Sequence, residues 1–400
     1  MSEALSGLRI LDLTDATSQY CGKMFGDLGA DVILIEPTEG SPARLQAPFL
    51  GDRVDPEFSL PFSYYNAGKR SVSLDLESPG GKQAFKDLVR TAHVVLETAR
   101  PGRMAELGLG YDTLSSINPA LIMTSITPFG QTGPYASYAG DDIVALALGG
   151  MLHLGGYFDA EPMAAHGNQA WLAAAQFAAV STMMAVFELQ RTGGAVGRHI
   201  DVSMQECVVI GMENAIQFYD LEGVIRRREA GQQRWAGVGV FECLDGQVYL
   251  MSGGIVPERV RQLTVRWLME SGVDDAESML DARWAHEDFQ MTPEAKADFE
   301  RFFGAFASTR TKAELYAEGQ ARRIPICPIN TPQDLMQNRQ LLSRGIFTAL
   351  PHAASGRTLE GPGAPYRLSK TPWRAGGAAP LLGEHTADVL GELVAAEVSA

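Results

Sequence analysis

Cysteine is scarce in this chain: four in 400 residues (Cys21, Cys207, Cys243 and Cys327), with no CxxC spacing among them. Scattered single thiols argue against a zinc site or a disulfide framework and leave reduced, buried thiols as the expectation. Basic residues are also short, 33 Lys and Arg against 48 Asp and Glu, for a net charge of −15. That disfavours nucleic acid as a partner, because neutralising phosphates takes clustered cations. It leaves room for a nucleotide-like ligand held by a few local cations. No long apolar run is uninterrupted; the Ala-rich stretch 170–187 is broken by Gln176, Ser181 and Thr182. The N-terminus lacks the basic-then-apolar pattern of a signal peptide. Together these absences predict a soluble, cytoplasmic protein with no membrane partner. A dinucleotide fingerprint is missing too: Asp15–Gly22 carries a single glycine, which argues against a Rossmann dehydrogenase.

What is present is an ordinary globular composition, 46% hydrophobic and 20% charged, at a length that suits two domains. Short apolar runs at 9–13, 31–36, 71–76, 93–97 and 121–126 read as strands, most without in/out alternation, with helical patterns at 19–28 and 78–91 between them. Strands buried on both faces and separated by helices predict an α/β fold with a largely parallel sheet. Such sheets place functional loops at the carboxyl ends of their strands. A long helical pattern at 170–191 stops at Gly193-Gly194, followed by a strand at 199–203 and a helix at 204–221. The polar stretch 222–232 reads as a linker. Beyond it, a hairpin around Leu244-Asp245-Gly246 and helices at 257–271 and 312–322 predict a smaller α+β domain. The Pro- and Gly-rich stretch 351–380 reads as an extended return segment before a helix near 384–397.

Seven motifs carry a resemblance. They are Gly7-Leu-Arg-Ile-Leu-Asp-Leu-Thr14, Asp27-Leu-Gly-Ala-Asp-Val-Ile-Leu-Ile-Glu-Pro37, Asn66-Ala-Gly-Lys-Arg-Ser-Val-Ser-Leu-Asp-Leu76 and Arg100-Pro-Gly102. Phe129-Gly-Gln-Thr-Gly-Pro-Tyr135, His199-Ile-Asp-Val-Ser-Met204 and Leu382-Gly-Glu-His-Thr-Ala-Asp-Val-Leu390 complete the set. Their order and spread over nearly the whole chain resemble the class III CoA-transferase family. The resemblance implies a large Rossmann-like domain built from residues 1–221 and 331–400, a small domain at 222–330, and two such open rings interlocked as a dimer.

It also implies chemistry. In the family an aspartate near the start of a long helix attacks an acyl-CoA, forming a mixed anhydride and then an aspartyl-CoA thioester that the second acid displaces. Helix N-terminal amides favour such a carboxylate. Anchored on Gly167-x-Gln169-Ala170 and on Arg191-Thr192-Gly193, the nucleophile position falls on Trp171; a one-residue shift gives Ala170 or Leu172. None can be a nucleophile, an indole having only an N–H donor, and no Asp or Glu occurs from Ala164 to Phe187. The family's CoA site corresponds here to the loop Ala16, Thr17, Ser18 and Gln19, with Lys69, Arg70, Arg100 and Arg103 as candidate phosphate contacts. Thr98-Ala99 stands where an Asn-Phe pair belongs, and Glu106 where an arginine belongs, so the nucleotide site is weakened.

Among other carboxylates, Asp142 in Gly140-Asp-Asp-Ile-Val is the least poor substitute nucleophile, although acids at a helix start are usually caps. Asp159, Glu161 and Glu206 fit turn or first-turn roles, and His166 is a lone loop histidine. A racemase reading fails, because Asp141 stands where that branch carries its histidine and the partner acid is missing. Gly237-Val-Gly239 resembles the glycine loop that covers family active sites. The resulting expectation is a CoA-transferase subunit without its own nucleophile, paired with a homologous nucleophile-bearing subunit, as in heteromeric enzymes that use succinyl-CoA to activate benzylsuccinate. The alternatives are a homodimeric transferase using Asp142, or a non-catalytic acyl-CoA-binding protein. Coenzyme A and acyl-CoA enter as substrates, with no permanent cofactor and no metal expected.

Overall fold

The computed structural model describes residues 3–194 and 196–399. The chain forms two compact units: residues 1–152, 164–223 and 339–400 make the first, and residues 153–163 with 224–338 the second.

The first unit is built on six strands, β1 (Arg9–Leu13), β2 (Asp31–Glu36), β3 (Arg70–Ser73), β4 (Val94–Glu97), β5 (Ile122–Thr127) and β6 (Arg198–Ser203). All neighbours are parallel, in the order β3-β2-β1-β4-β5-β6. This is the doubly wound arrangement, and its order reverses between β1 and β4, where a crevice opens at the carboxyl ends of the strands. Every residue of β4 and β5 is buried, which accounts for their lack of in/out alternation.

Each face of the sheet has its own core. On one, Ile10, Val32 and Ile122 pack with Cys21 and Phe25 of helix α1 (Gln19–Gly26). On the other, Leu11, Ile33 and Val72 pack with Phe85 and Leu88 of α2 (Pro79–Thr91). Two further helices matter to the site, α3 (Asp142–Leu148) and α4 (Gln169–Thr192). The apolar length of α4 would suffice to cross a bilayer, but its face of small residues, Ala170, Ala174, Ala175 and Ala178, is fully buried in the α1 core. Gly193, with φ of 58°, ends it in the left-handed conformation.

Three expectations shift. The helix expected at 204–221 is two, α5 (Met204–Ile210) and α6 (Glu213–Glu222), broken at Gly211-Met212. β3 ends at Ser73, short of 76, where pairing with β2 stops. The return segment is not wholly extended: β10 (Phe347–His352) and β11 (Arg357–Pro362) pair antiparallel around a turn with Gly356 at φ 66°. The chain then docks on the sheet edge. Ser73 N donates to Thr386 Oγ1 at 3.0 Å, and Val389 of the C-terminal helix Thr386–Ser399 is buried in the α2 core.

In the second unit the hairpin β7 (Val238–Cys243) and β8 (Gly246–Met251) is joined by β9 (Ile326–Ile329), all antiparallel. The sheet packs Phe241 against Phe299 and Phe303, in a core that also holds Trp267, Trp284 and Leu315. Residues 153–163 belong here because Arg228 donates to the carbonyls of His153 and Tyr157.

Candidate functional site

At the switch point the loop after β1 is held from below. Asp12, at the end of β1, accepts Thr14 N at 3.0 Å and Thr14 Oγ1 at 2.6 Å. Asp15 Oδ1 accepts Thr17 N at 2.9 Å, folding Ala16–Thr17 into a turn, and Asp15 N donates to Thr98 Oγ1 at 2.9 Å. The loops after β1 and β4, on either side of the reversal, are therefore tied together. Gln19 is buried and accepts Asn66 Nδ2 at 2.7 Å through its side chain. Of the four expected loop residues, Gln19 is structural. Ser18 is 1% exposed and its hydroxyl has no partner among the described residues.

Lys69 and Arg70 differ from expectation. The Lys69 ammonium is fully buried and donates to Asp12 Oδ2 at 2.7 Å, Gln19 O at 2.9 Å and Asn66 Oδ1 at 2.9 Å. An ammonium has three N–H donors, and all are used, so no donor is left for a phosphate. Arg70 starts β3, on the amino edge of the sheet, where it pairs with Asp31 and Glu392 beside Arg9. It lies at the opposite end of the strands from the switch-point loops. Arg100 and Arg103 do follow β4, at the carboxyl edge. Arg100 is held by both oxygens of Glu106 at 2.7 and 2.8 Å, and Arg103 by Glu77 and Glu106. These contacts, Arg100 first, pull the Glu106 pKa down. Both bonds use Arg100 Nη2 on a largely exposed side chain, so an incoming phosphate would share the cation with a carboxylate already in place.

Trp171 lies in the first turn of α4. Its backbone N and that of Ala170 donate to Asp142 Oδ1 at 3.2 and 2.8 Å. Asp142 is 8% exposed; burial raises its pKa while the two amide bonds lower it. Its carboxylate therefore serves as the cap of α4, tying the start of that helix to the start of α3, as an acid at a helix N-terminus should. Asp141 in turn accepts Asp142 N at 2.7 Å. The indole Nε1 of Trp171 is buried without an acceptor among the described residues. Glu206 and His166 are exposed. Asp159 and Glu161 belong to the second unit.

Glu97 went unnoticed in the sequence. It ends β4, is 2% exposed, accepts Ala99 N at 2.6 Å and lies beside Ser125 in the sheet register. Burial, above all, pushes its pKa up to about 7. The available signal was an acid closing a strand that is otherwise buried on both faces. Thr127 Oγ1 at the end of β5 and Gln131 Nε2 in the following loop are also buried, with no partner among the described residues. Together with Ser18 and Trp171 they make four unsatisfied polar side chains on segments at the carboxyl edge or at the start of α4. Buried polar atoms without partners are rare, and a ligand or water is the usual reason for them.

The second unit has its own cavity of about 750 Å³, lined by Tyr157, Arg234, Trp235, Gly239, Tyr249 and Glu300 among others. Gly237, with φ of 84°, packs so close to the Phe299 ring that a Cβ would stand 2.8 Å from it. The glycine there is required both by conformation and by space.

The sequence matches CoA-transferase family III over residues 5–386. The chain belongs to that family. As a family III CoA-transferase it works on CoA thioesters, and its relatives narrow the company it keeps. It is 38% identical over 395 residues, 98% of this chain and 95% of the relative, to the succinyl-CoA:(R)-benzylsuccinate CoA-transferase subunit BbsE of Thauera aromatica. It is 31% identical over 403 residues, 99% of this chain and 97% of the relative, to a succinate–glutarate CoA-transferase of Agrobacterium fabrum. Among solved structures, a CAIB/BAIF family protein from Brucella suis superposes with a TM-score of 0.85 at 28% identity, covering 98% of this chain and all of that one (100%).

Proposed function

We propose that this family III CoA-transferase chain is the non-nucleophilic subunit of a heteromeric enzyme that moves CoA from succinyl-CoA to an aromatic succinate such as benzylsuccinate. The observation that carries the reading is the start of α4. The nucleophile position is occupied by Trp171, and the carboxylate nearest it in the hydrogen-bond network, Asp142, is committed to the backbone amides of Ala170 and Trp171. The attack on a thioester carbonyl needs a free carboxylate lone pair aimed at carbon, and a capping carboxylate is aimed at N–H groups. The weakened cation set supports the same reading, since Lys69 has no free donor and Arg100 is paired with Glu106.

In this reading a homologous partner carries the aspartate and forms the anhydride and the CoA thioester. The present chain closes an interlocked ring with it and offers the glycine loop at Gly237–Gly239 as a cover that keeps water from those intermediates. The benzylsuccinate relative, named as a subunit, supports the heteromer. Residues 1–221, 222–330 and 331–400 remain the proposed domain segments of the ring.

Intact-protein mass spectrometry tests the proposal. The purified chain is incubated with succinyl-CoA, with and without hydroxylamine, alone and then co-expressed with a homologous aspartate-bearing subunit. No adduct on this chain, but a hydroxylamine-sensitive adduct on the partner in a mixed oligomer, is the expected result. A covalent adduct on this chain alone overturns it, and mapping that adduct to Asp142 would establish the homodimeric alternative.

A further inference from the structure

We propose that Glu97, Ser125 and His199 form a proton relay that positions the loop after β4. The three residues share the α2 face of the sheet, Glu97 beside Ser125 and His199 diagonal to it, opposite Met123. Glu97 of β4 is the register partner of Ser125 on β5, and His199 lies on β6, which pairs with β5. Ser125 is the register neighbour of Glu97 on one side and lowers its carboxyl pKa, and its Oγ stands 2.8 Å from His199 Nε2 on the other. Glu97 is buried whereas His199 reaches solvent, its ring stacked on Tyr111 at 5.4 Å. A sealed carboxyl is thus connected to water through one hydroxyl and one imidazole.

A serine hydroxyl has one hydrogen to give, so the chain of bonds has two self-consistent states. With Glu97 ionised, Ser125 donates to the carboxylate and the His199 Nε2–H donates to Ser125. With Glu97 protonated, the carboxyl donates to Ser125, whose hydrogen turns to a bare Nε2, and the imidazole carries its hydrogen on Nδ1. Passage from the first state to the second adds one solvent proton at Nδ1, moves the Nε2 proton to Ser125 Oγ, and moves the serine proton to Glu97. Nothing else is consumed.

The output is the loop. Ionised Glu97 holds Ala99 N by a charge-assisted bond, which is roughly twice as strong as a neutral one. The adjacent Thr98 holds Asp15 N across the switch point. Protonation weakens the Ala99 bond and loosens both rims of the crevice. The charged neighbours set where this happens. Asp15 from the β1 loop and Asp201 from β6 disfavour ionised Glu97. Burial, the largest influence, lowers the His199 pKa, while Asp201 and Asp112 favour its charged form. Arg198 and Asp112 act on the Tyr111 phenol beside it. The carboxyl pKa near 7 puts the transition in the neutral range. Glu97 is a positioning residue here, and the relay operates whether or not this chain carries a nucleophile.

The test is nuclear magnetic resonance on the full chain labelled at alanine amides and histidine rings, titrated from about pH 5.5 to 8.5. The Ala99 amide and the His199 ring nitrogens are expected to share one inflection near pH 7. Ser125→Ala should separate them into independent titrations, and Ser125→Thr, which keeps the hydroxyl, should rejoin them. An Ala99 amide without an inflection in wild type, or one still coupled to His199 in Ser125→Ala, overturns the relay. Should Ser125→Ala fail to fold, Glu97→Gln decides. Its amide donates permanently to Ser125, so His199 should stay in the Nδ1–H tautomer across the range; a tautomer that still switches with pH refutes the proposal.

Discussion

The two edges of the six-stranded sheet treat their polar groups in opposite ways. At the amino edge Arg9, Arg70, Asp31 and Glu392 form a closed ring of ion pairs, each cation meeting both carboxylates at 2.7–2.8 Å. At the carboxyl edge Ser18, Thr127 and Gln131, with Trp171 at the start of α4, hold buried polar atoms that find no partner among the described residues, and burial raises the Glu97 pKa to about 7. Satisfied groups spend their bonding capacity on the fold. Unsatisfied ones cost stability, about 1–3 kcal/mol each where no water reaches them, and are retained where a ligand or partner completes them. The contrast also separates the cations of the third motif: Lys69 and Arg70 are adjacent in sequence, yet one braces the carboxyl edge from beneath while the other closes the amino edge.

The largest test of that contrast is Lys69→Met. Removing the ammonium leaves Asp12 buried without its charged partner, and a loss of about 3–5 kcal/mol in denaturant unfolding is expected. The double variant with Asp12→Asn should recover part of it. A loss below about 1 kcal/mol would mean that Lys69 is not the brace described here.

Glu97 comes next. Its carboxyl pKa is raised from an ordinary 4.5 to about 7 in the folded protein. Between those values the folded state binds more protons than the unfolded state, so stability should fall as pH rises through this window. The total is about 3 kcal/mol. Comparing unfolding curves at both ends of the window for wild type and Glu97→Gln checks the sign: the glutamine variant should lack this slope, and an unchanged slope would assign it to other groups.

Asp142→Ala should cost about 1 kcal/mol by uncapping α4, with Asn recovering most of it because Asn also caps. Thermal melts of both variants distinguish this from a catalytic role, which would abolish adduct formation without moving the melt. The smallest effect belongs to the amino edge. Arg70→Ala should cost under about 1 kcal/mol, shrinking further with added salt, because the network is partly exposed and screened. Calorimetry with CoA should give the same affinity for Arg70→Ala as for wild type, since the residue lies away from the switch point.

Much of this was legible in one dimension. β1 and β2 carry motif residues in largely apolar runs, and those runs report burial on both faces. The long helix was readable to within a residue at each end because Gly193 supplies a left-handed stop. The break at Gly211-Met212 was not readable, since an apolar pattern continues through it. The pairing of Arg70 was equally hidden, because its partner Glu392 is 322 residues away. Glu97 was overlooked for the same reason: only the stacking of β5 and β6 beside it brings Ser125 and His199 into line.

The sequence by itself determined the family, the alternation of strands and helices, and the absence of any carboxylate from Ala164 to Phe187. Those are properties of covalent order: the start of the long helix encodes no acid of its own, and the carboxylate found there, Asp142, arrives from 28 residues away. Only the tertiary structure decided which of the remaining charges are free. Whether Lys69 reaches a phosphate or braces Asp12, and whether Asp142 attacks or caps, depends on desolvation and hydrogen-bond geometry among residues far apart in the chain, and these exist only once the sheet has closed.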